Sequence, residues 1–243
     1  RQSPVCLISK KDIMLTFDNQ TQIYMKIKLL SVLTLFMLGT TFSQSLESPS
    51  EFLGYEIGTR FTRHHQVVDY FKYVSNTVFN VKLEKYGETN EHRPLYVSFI
   101  SSKENIANLE TIRKDNLSQS GIIKGSTVNN KAIVWLSYNV HGNEASSTEA
   151  AMLTLYELIM NKKKLLENTV VIMDPCINPD GRDRYVNWFN QVKATPYSID
   201  QNAKEHIEPW PSGRPNHYLF DLNRDWAWAT QVESSQRIAI YNK

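Results

Sequence analysis

The sequence predicts an α/β protein whose mixed, mostly parallel sheet is flanked by helices. Apolar runs of strand length at 131–139 and 169–173 enclose a segment, 146–161, whose apolar residues recur at helical spacing. A strand, a helix and a strand in series are typical of a parallel sheet covered by helices. Alternating residues at 81–86 and 95–100, on either side of a Gly- and Asn-containing turn, add a hairpin.

The other elements follow from the same periodicities. Positions 64–76 carry apolar residues on one helix face, and 103–116 is helical in character. The strand at 131–139 is apolar enough to be covered on both faces. Ser146 or Ser147 is placed to cap the helix that follows it.

The second half of the chain is less regular. Residues 182–220 hold no clear periodic element and are rich in Pro, Asn, Trp and Tyr, so we expect a long loop there. A loop of this length inside a compact domain usually carries a function. The final stretch, 231–243, has the pattern of an amphipathic helix.

The N-terminal region indicates export. In segment 25–43, Lys26 and Lys28 precede an apolar core at 29–38 and a small-x-small pattern at 41–43, the layout of a secretory signal peptide. Its apolar run is shorter than the ~20 residues of a membrane span. We therefore expect a secreted or periplasmic protein, with a catalytic domain over 46–243 and non-native upstream translation over 1–24.

Composition narrows the function classes. The chain has 41% hydrophobic and 21% charged residues and a formal net charge of +2. This charge argues against a nucleic-acid binder that relies on a broad basic face. Cys6 lies upstream of the predicted signal, so Cys176 is expected to be a small buried residue without an intrachain disulfide.

A histidine and a glutamate follow the strand at 131–139. His141 and Glu144 lie three residues apart in the stretch HGNE, where the chain enters the next helix. Ligands of open α/β sheets gather at the carboxyl ends of strands, and zinc takes imidazole nitrogen and carboxylate oxygen. By itself this pair fits either half of a metal site or an ordinary polar loop.

A second polar cluster lies further along the chain. GRPN at 213–216 precedes DLNRDW at 221–226, which brings Arg214, Asn223 and Arg224 into one region. Guanidinium groups bind carboxylates in a fork, so these residues could hold a carboxylate. Asp221 and Arg224 also fit a plain surface ion pair.

The four motifs together resemble the zinc carboxypeptidase family, of the carboxypeptidase A and D/E type. HGNE after one strand, NPDG after the next, then GRxN and DLNRDW occur in that family's order, and the resemblance extends from about Glu51 to the end of the chain. The resemblance implies that His141 and Glu144 are the first two protein ligands of a single catalytic Zn²⁺.

The resemblance also implies roles for the second cluster. Asn223 and Arg224 would hold the substrate's free α-carboxylate, and Arg214 would polarise the scissile carbonyl and stabilise its oxyanion. Asp221 would orient His141 from behind, as a carboxylate does for many zinc-bound imidazoles. The implied reaction is hydrolysis of the C-terminal residue from peptides or proteins by zinc-activated water.

Two residues of the family pattern have no match. The third zinc ligand, a histidine, and the general base, a glutamate, would follow Arg224, but the two histidines after Glu144, His206 and His217, both precede it. We interpret those two as loop residues and expect the missing ligand and base beyond Lys243. The chain is therefore expected to be a C-terminally truncated, inactive fragment.

Two other functions remain open. One is an aspartoacylase-like zinc deacylase of N-acyl amino acids, because that type shares HGNE and DLNR. The other is a secreted pseudoenzyme that binds peptides without cleaving them. NPDG, GRxN and the signal peptide favour the peptidase over the deacylase.

Overall fold

The computed structural model describes residues 21–28, 45–125 and 130–243. The chain divides into two units, Arg1–Ser45 and Leu46–Lys243. Residues 21–28 of the first unit are helical, whereas 1–20 of the predicted upstream segment and 29–43 of the predicted signal peptide lie outside the described residues. Of the described helices, none has the length and apolar character needed to cross a membrane.

The second unit alternates helices and strands. In chain order they are α1 (Pro49–Leu53), α2 (His64–Thr77), β1 (Val81–Glu88), β2 (Pro94–Ile100), α3 (Lys103–Ala107), α4 (Leu109–Gln119), β3 (Ala132–Ser137), α5 (Ser147–Asn161), α6 (Lys163–Leu166), β4 (Thr169–Asp174), α7 (Pro179–Val192) and α8 (Val232–Tyr241). Two short 3₁₀ turns, Lys204–His206 and Leu222–Arg224, lie between α7 and α8.

The strands form one sheet in the order β1-β2-β4-β3. β1 and β2 form the predicted antiparallel hairpin, β2 pairs antiparallel with β4, and β3 pairs parallel with β4. The α/β class and the mixed, helix-flanked sheet are confirmed. Among the described strands the parallel share is smaller than expected, because β4 pairs with the hairpin on one side.

The position of β3 also differs from the expectation. We predicted a strand covered on both faces, but β3 lies at the edge of the described sheet, and Ile133 and Val134 are 36% and 42% exposed. The apolar composition of a strand shows only that its side chains are suited to burial. The order of the strands is not encoded in composition, and it leaves Ile133 and Val134 of β3 partly exposed among the described residues.

The core lies between helices and the sheet. Apolar side chains of α2 and α5 pack against residues of β1, β2 and β4, and the buried set includes Val67, Tyr70, Phe71, Val74, Val81, Ile100, Met152, Leu155, Ile159, Val171 and Met173. Several of these are fully shielded from solvent. Burying one such side chain contributes about 1.5–3 kcal/mol, so this layer holds the elements in place.

The expected loop over 182–220 is wrong in its first part. Helix α7 runs to Val192, and Asn178 caps it by accepting a hydrogen bond from the Gly181 N–H (3.0 Å). Pro179 at the first helical position suits such a start. The buried face of α7 includes Asp180 and Arg182. Tyr185, Trp188, Phe189 and Val192 do recur at helical spacing, but they follow a buried start that is charged and contains glycine, which resembles a polar loop.

The predicted serine cap of α5 is also wrong. Ser146 is the residue before the helix, but its side chain makes no capping hydrogen bond. The Ser147 hydroxyl instead accepts a hydrogen bond from the Asn139 N–H (2.9 Å). The Ser147 hydroxyl therefore bonds a residue outside the helix instead of capping it.

Cys176 is buried, as predicted, and is a free cysteine.

His64, at the start of α2, gives the fold a pH dependence. It is 3% exposed, and burial lowers the pKa of its imidazole to about 4, an effect that the nearby Asp183 carboxylate only partly offsets. The folded protein keeps His64 in its neutral form. The full free energy of unfolding is therefore present above the unfolded-state pKa near 6.5. It falls by roughly 3 kcal/mol as pH falls toward 4, because the unfolded state then binds a proton that the folded state does not.

We predict that the His64→Gln variant lacks this loss. Urea unfolding of the two proteins at pH 7 and pH 4 measures it, because every other titrating group is common to both. The free energy of unfolding of the unmodified protein should fall by roughly 3 kcal/mol more than that of the variant. Equal losses would contradict a buried neutral His64.

Candidate active site

The ends of β3 and β4 bring the motifs together. The strands pair in parallel up to Ser137 and Asp174, and the pairing continues past them. The Ile177 N–H donates to the Tyr138 carbonyl (3.0 Å), and the Asn178 N–H donates to the Asn139 carbonyl (3.1 Å). HGNE, which follows β3, and NPDG, which follows β4, therefore start side by side at the carboxyl edge of the sheet.

Three glycines, one from each of three motifs, then meet backbone to backbone. A Cβ on Gly142 would lie 2.1 Å from the Gly181 carbonyl carbon and 2.4 Å from the Gly213 carbonyl oxygen. A Cβ on Gly181 would also lie 2.4 Å from that oxygen. The Asn178 amide adds a hydrogen bond to the Arg214 carbonyl (3.0 Å). Only residues without a side chain permit this approach.

Asn139 shapes the loop that carries His141 and Glu144. Its backbone has φ 55°, and its buried amide donates to the carbonyls of His141 (2.9 Å) and Glu144 (3.3 Å). Asparagine tolerates the left-handed region better than most residues, so this position suits it. No periodic pattern in the sequence predicts this role, and the asparagine two residues before HGNE is its only local signal.

A buried ion pair supports the loop from behind. Arg182 is fully buried and donates from Nη2 to both oxygens of Glu149 (2.7 and 3.0 Å), and from Nε to the Thr62 carbonyl (3.1 Å). Its Nη1 donates to the Ala145 carbonyl, next to Glu144. Removing one partner of such a pair costs about 3–5 kcal/mol. Sequence reasoning also missed these two residues, because charged residues ordinarily indicate surface.

His141 lies between two carboxylates. The residue is 4% exposed, its Nε2 lies 2.9 Å from Asp221 Oδ1, and its Nδ1 lies 2.7 Å from Glu144 Oε1. Burial alone would raise the pKa of Asp221. Hydrogen bonds from His141, the Asn223 N–H and Arg214 outweigh it and hold that pKa below its ordinary value. Asp221 is therefore ionised at neutral pH and accepts a hydrogen bond from Nε2–H.

This arrangement fits a metal ion. With Nε2 donating to Asp221, a neutral His141 presents the lone pair of Nδ1 toward a Glu144 oxygen, which is also an acceptor. A proton on Nδ1 or a cation shared by the two atoms removes this repulsion. Imidazole nitrogen and carboxylate oxygen are both common zinc ligands. The predicted ligands are thus adjacent, and the predicted orienting carboxylate is in contact.

Arg214 joins the same network. Its Nη2 donates to Asp221 Oδ2 (3.0 Å), and its Nη1 lies 3.9 Å from Glu144 Oε1. The side chain is 43% exposed, so it can reach a bound ligand as well as Asp221. The structure therefore brings Arg214, His141, Glu144 and Asp221 into one cluster.

Asn223 and Arg224 lie beside this cluster. The Asn223 N–H donates to Asp221 Oδ1 (2.9 Å), and its side-chain oxygen accepts from Trp226 Nε1 (2.8 Å), which turns the amide NH₂ away from the tryptophan. Arg224 is exposed, and its Nη1 donates to the Asn223 carbonyl (3.2 Å). The guanidinium thus has donors left for a ligand, although its role and that of Asn223 stay predictions.

The two remaining candidate histidines are engaged elsewhere. His206 Nε2 lies 2.8 Å from the Ser198 carbonyl, and His217 Nδ1 lies 3.0 Å from Glu91 Oε1. Each histidine thus has a partner outside the cluster of His141 and Glu144, and their interpretation as loop residues stays a prediction.

His217 belongs to another group of possible ligands. Ligand atoms of Glu91, Asp180 and His217 lie within 4.8 Å of one another. Arg93 Nη1 already lies 2.5 Å from Glu91 Oε2 and 2.7 Å from Asp180 Oδ1, and the Thr89 hydroxyl donates to that same Asp180 oxygen (2.7 Å). We interpret this group as an ion-pair network that ties the hairpin to α7.

We predict that Gly142→Ala disrupts the site by separating the three glycine-containing loops. The added methyl group would overlap backbone atoms, which cannot rotate away, so we expect a loss of about 3 kcal/mol in the free energy of unfolding. Gly125→Ala is the matched control. The atom nearest to a Cβ at Gly125 is the Ser118 hydroxyl oxygen at 3.0 Å, which belongs to a side chain that can rotate away. Equal denaturant midpoints for the two variants would contradict the close glycine contact.

Comparison with known proteins identifies a family and a similar fold. The zinc carboxypeptidase family profile matches residues 68–240. No curated protein matches the chain by sequence. Among solved structures, carboxypeptidase A from Helicoverpa armigera is similar with a TM-score of 0.52 and 17% identity, over 95% of this chain and 55% of that one. A metallo-carboxypeptidase from Burkholderia cenocepacia has a TM-score of 0.44 and 16% identity, over 75% and 37%.

These comparisons differ in what they establish. At such low identity, the likeness to the Helicoverpa structure shows the fold, and this chain spans only 55% of the length of that relative. The profile match is stronger, because it covers most of the chain and includes HGNE, NPDG, GRPN and DLNRDW. With its motifs assembled at the carboxyl edge of the sheet, the chain belongs to the zinc carboxypeptidase family.

Proposed function

We propose that the chain carries much of the active site of a secreted zinc metallocarboxypeptidase that removes C-terminal residues from peptides. The observation that carries this proposal is the continuous contact from Glu144 through His141 and Asp221 to Arg214. Family membership supports a peptide hydrolase. The signal-like segment 25–43 supports secretion or export to a periplasm.

In this proposal His141 and Glu144 hold one zinc ion through Nδ1 and a carboxylate oxygen. When bound, zinc supplies a Lewis acid that polarises the scissile carbonyl and acidifies water. Asp221 keeps the proton of His141 on Nε2, which leaves Nδ1 free to bind. The family pattern also calls for a third protein ligand and a general base, for which the motifs of this chain offer no match.

Arg214 and the Asn223–Arg224 pair would bind different parts of the substrate. Arg214, tethered to Asp221 but 43% exposed, would donate a hydrogen bond to the oxyanion as the carbonyl becomes tetrahedral. The Asn223 amide and the Arg224 guanidinium would bind the free α-carboxylate. A requirement for that carboxylate makes the enzyme an exopeptidase.

We predict that Arg224→Ala in the full-length enzyme removes the preference for free C-termini. Losing one side of a charge pair should lower kcat/KM on an unblocked peptide roughly 100-fold, with little change on the C-terminally amidated peptide. Arg113→Ala, which removes a half-buried guanidinium paired with Glu110 on α4, serves as the matched control. Unchanged cleavage of both peptides by Arg224→Ala would overturn this assignment.

The same assay separates the other functions. Release of acetate from N-acetylaspartate, without cleavage of any peptide, would identify the aspartoacylase-like deacylase instead. Peptide binding without hydrolysis of either substrate, in protein loaded with zinc, would identify the non-catalytic binder.

We further predict that Asp221 tunes zinc affinity. Asp221→Ala should raise the dissociation constant for zinc about 10- to 100-fold, because the His141 ring loses the partner that fixes its tautomer. Competition with a chelator of known affinity measures this in the full-length protein. Asp69→Ala, on the exposed side of α2, should leave the constant unchanged. Equal constants for the two variants would exclude the orienting role of Asp221.

A further inference from the structure

A cavity of about 480 Å³ opens beside the candidate active site. Its walls come from the segment 58–61, from α7 and from the residues that follow α7. Five aromatic side chains line it: Phe61, Tyr185, Trp188, Phe189 and Tyr197. Two carboxylates, Glu205 and Glu208, complete the wall together with Asn143, which stands between His141 and Glu144 in HGNE.

Glu208 joins this cavity to the active site. Its Oε2 accepts a hydrogen bond from the Asn143 amide (2.8 Å), and its Oε1 accepts one from the Gly213 N–H (2.5 Å). Those two residues neighbour Glu144 and Arg214. A substrate whose scissile carbonyl lies at Arg214 would therefore have the cavity within reach of its next residues.

The residues that line the cavity also indicate which part of the substrate occupies it. Neither Asn223 nor Arg224, the proposed partners of the substrate's terminal carboxylate, lines the cavity. The residue that is released would lie with that pair. The cavity is then available to residues on the N-terminal side of the scissile bond.

The aromatic walls are ordered by mutual packing. The rings of Phe61 and Phe189 meet edge to face with centroids 4.6 Å apart, and those of Tyr185 and Phe189 are stacked at 6.2 Å. Trp188 contacts Tyr185 at 5.6 Å. Aromatic faces carry negative partial charge and attract cations, tryptophan most strongly.

The charged residues of the cavity wall also favour a cation. Glu205 is buried, and the Ala194 and Ser198 N–H groups that donate to it lower its pKa despite the opposing effect of burial, so it remains ionised. Arg60 and His206 also line the cavity. The Arg60 guanidinium is stacked on the Tyr55 ring at 5.1 Å, and His206 Nε2 lies 3.8 Å from Glu205 Oε1. Counting histidine as neutral, two carboxylates against one arginine leave a formal excess of negative charge.

We propose that this cavity binds a basic side chain, Lys or Arg, from one of the two peptide residues N-terminal to the scissile bond. The alkyl stem would pack on the aromatic rings and the cation would face Trp188 and Glu208. The inference rests on the proposed function and adds a substrate preference to it.

Peptide kinetics with the full-length enzyme test the proposal. The substrates are N-acetyl peptides that end in the same residue and carry Lys, Arg or uncharged norleucine at either of the two preceding positions. At one of these positions kcat/KM should be about tenfold higher for Lys or Arg than for norleucine. This ratio should fall as salt is added, because it depends on charge.

Variants of the wall must change that ratio. Trp188→Ala and Glu208→Gln should each reduce the tenfold preference to twofold or less. Phe79→Ala, which removes a 75% exposed aromatic ring on the loop before β1, is the matched control and should retain it. A ratio near one in the unmodified enzyme, or a ratio that neither wall variant changes, overturns the proposal.

Failure of the proposed function would look different. If no peptide is cleaved, binding of the amidated Lys and norleucine peptides is measured instead through tryptophan fluorescence. Tighter binding of the Lys peptide that Trp188→Ala abolishes supports the cavity even without catalysis. Equal binding of the two peptides overturns it.

Discussion

The close contact of Gly142, Gly181 and Gly213 is the constraint on which the candidate active site depends. Each glycine belongs to a different loop, and backbone atoms approach where a Cβ would lie as little as 2.1 Å away. This contact sets the spacing between the loop with His141 and Glu144 and the loop with Arg214. A displacement of either loop would separate the side chains whose contacts, 2.7–3.0 Å long, join His141, Glu144, Asp221 and Arg214.

Buried charges form the second level of support. Arg182 and Glu149 connect α7 to the start of α5 and reach the Ala145 carbonyl beside HGNE. Arg93 likewise connects the end of the β1–β2 hairpin to Asp180 and Asp183 at the start of α7. Such pairs lend little net stability but are costly to break singly. They hold α7 in one position, and α7 in turn supplies one wall of the aromatic cavity.

Local patterns identified the sheet and the helices that bury apolar residues. The hairpin, α2, β4, α5 and α8 were all predictable because their apolar residues recur with the period of the element. Helix α7 was missed although Tyr185, Trp188, Phe189 and Val192 recur at helical spacing, because its buried start at Asp180, Gly181 and Arg182 resembles a polar loop. Asn139 and the Arg182–Glu149 pair were missed for a related reason. Their importance lies in partners 33 or more residues away or in an unusual backbone angle.

The sequence by itself determined which of its residues are the candidate site groups, because HGNE, NPDG, GRPN and DLNRDW follow one another in the order of one family of zinc enzymes. Only the tertiary structure decided how those groups meet. The parallel register of β3 and β4 aligns two loops, three glycines allow a third to approach, and Asp221 then reaches His141 across 80 residues of sequence. The same folding places β3 at an edge of the described sheet and opens an acidic aromatic cavity beside Asn143. These features arise from contacts between distant segments, and no local pattern of residues encodes them.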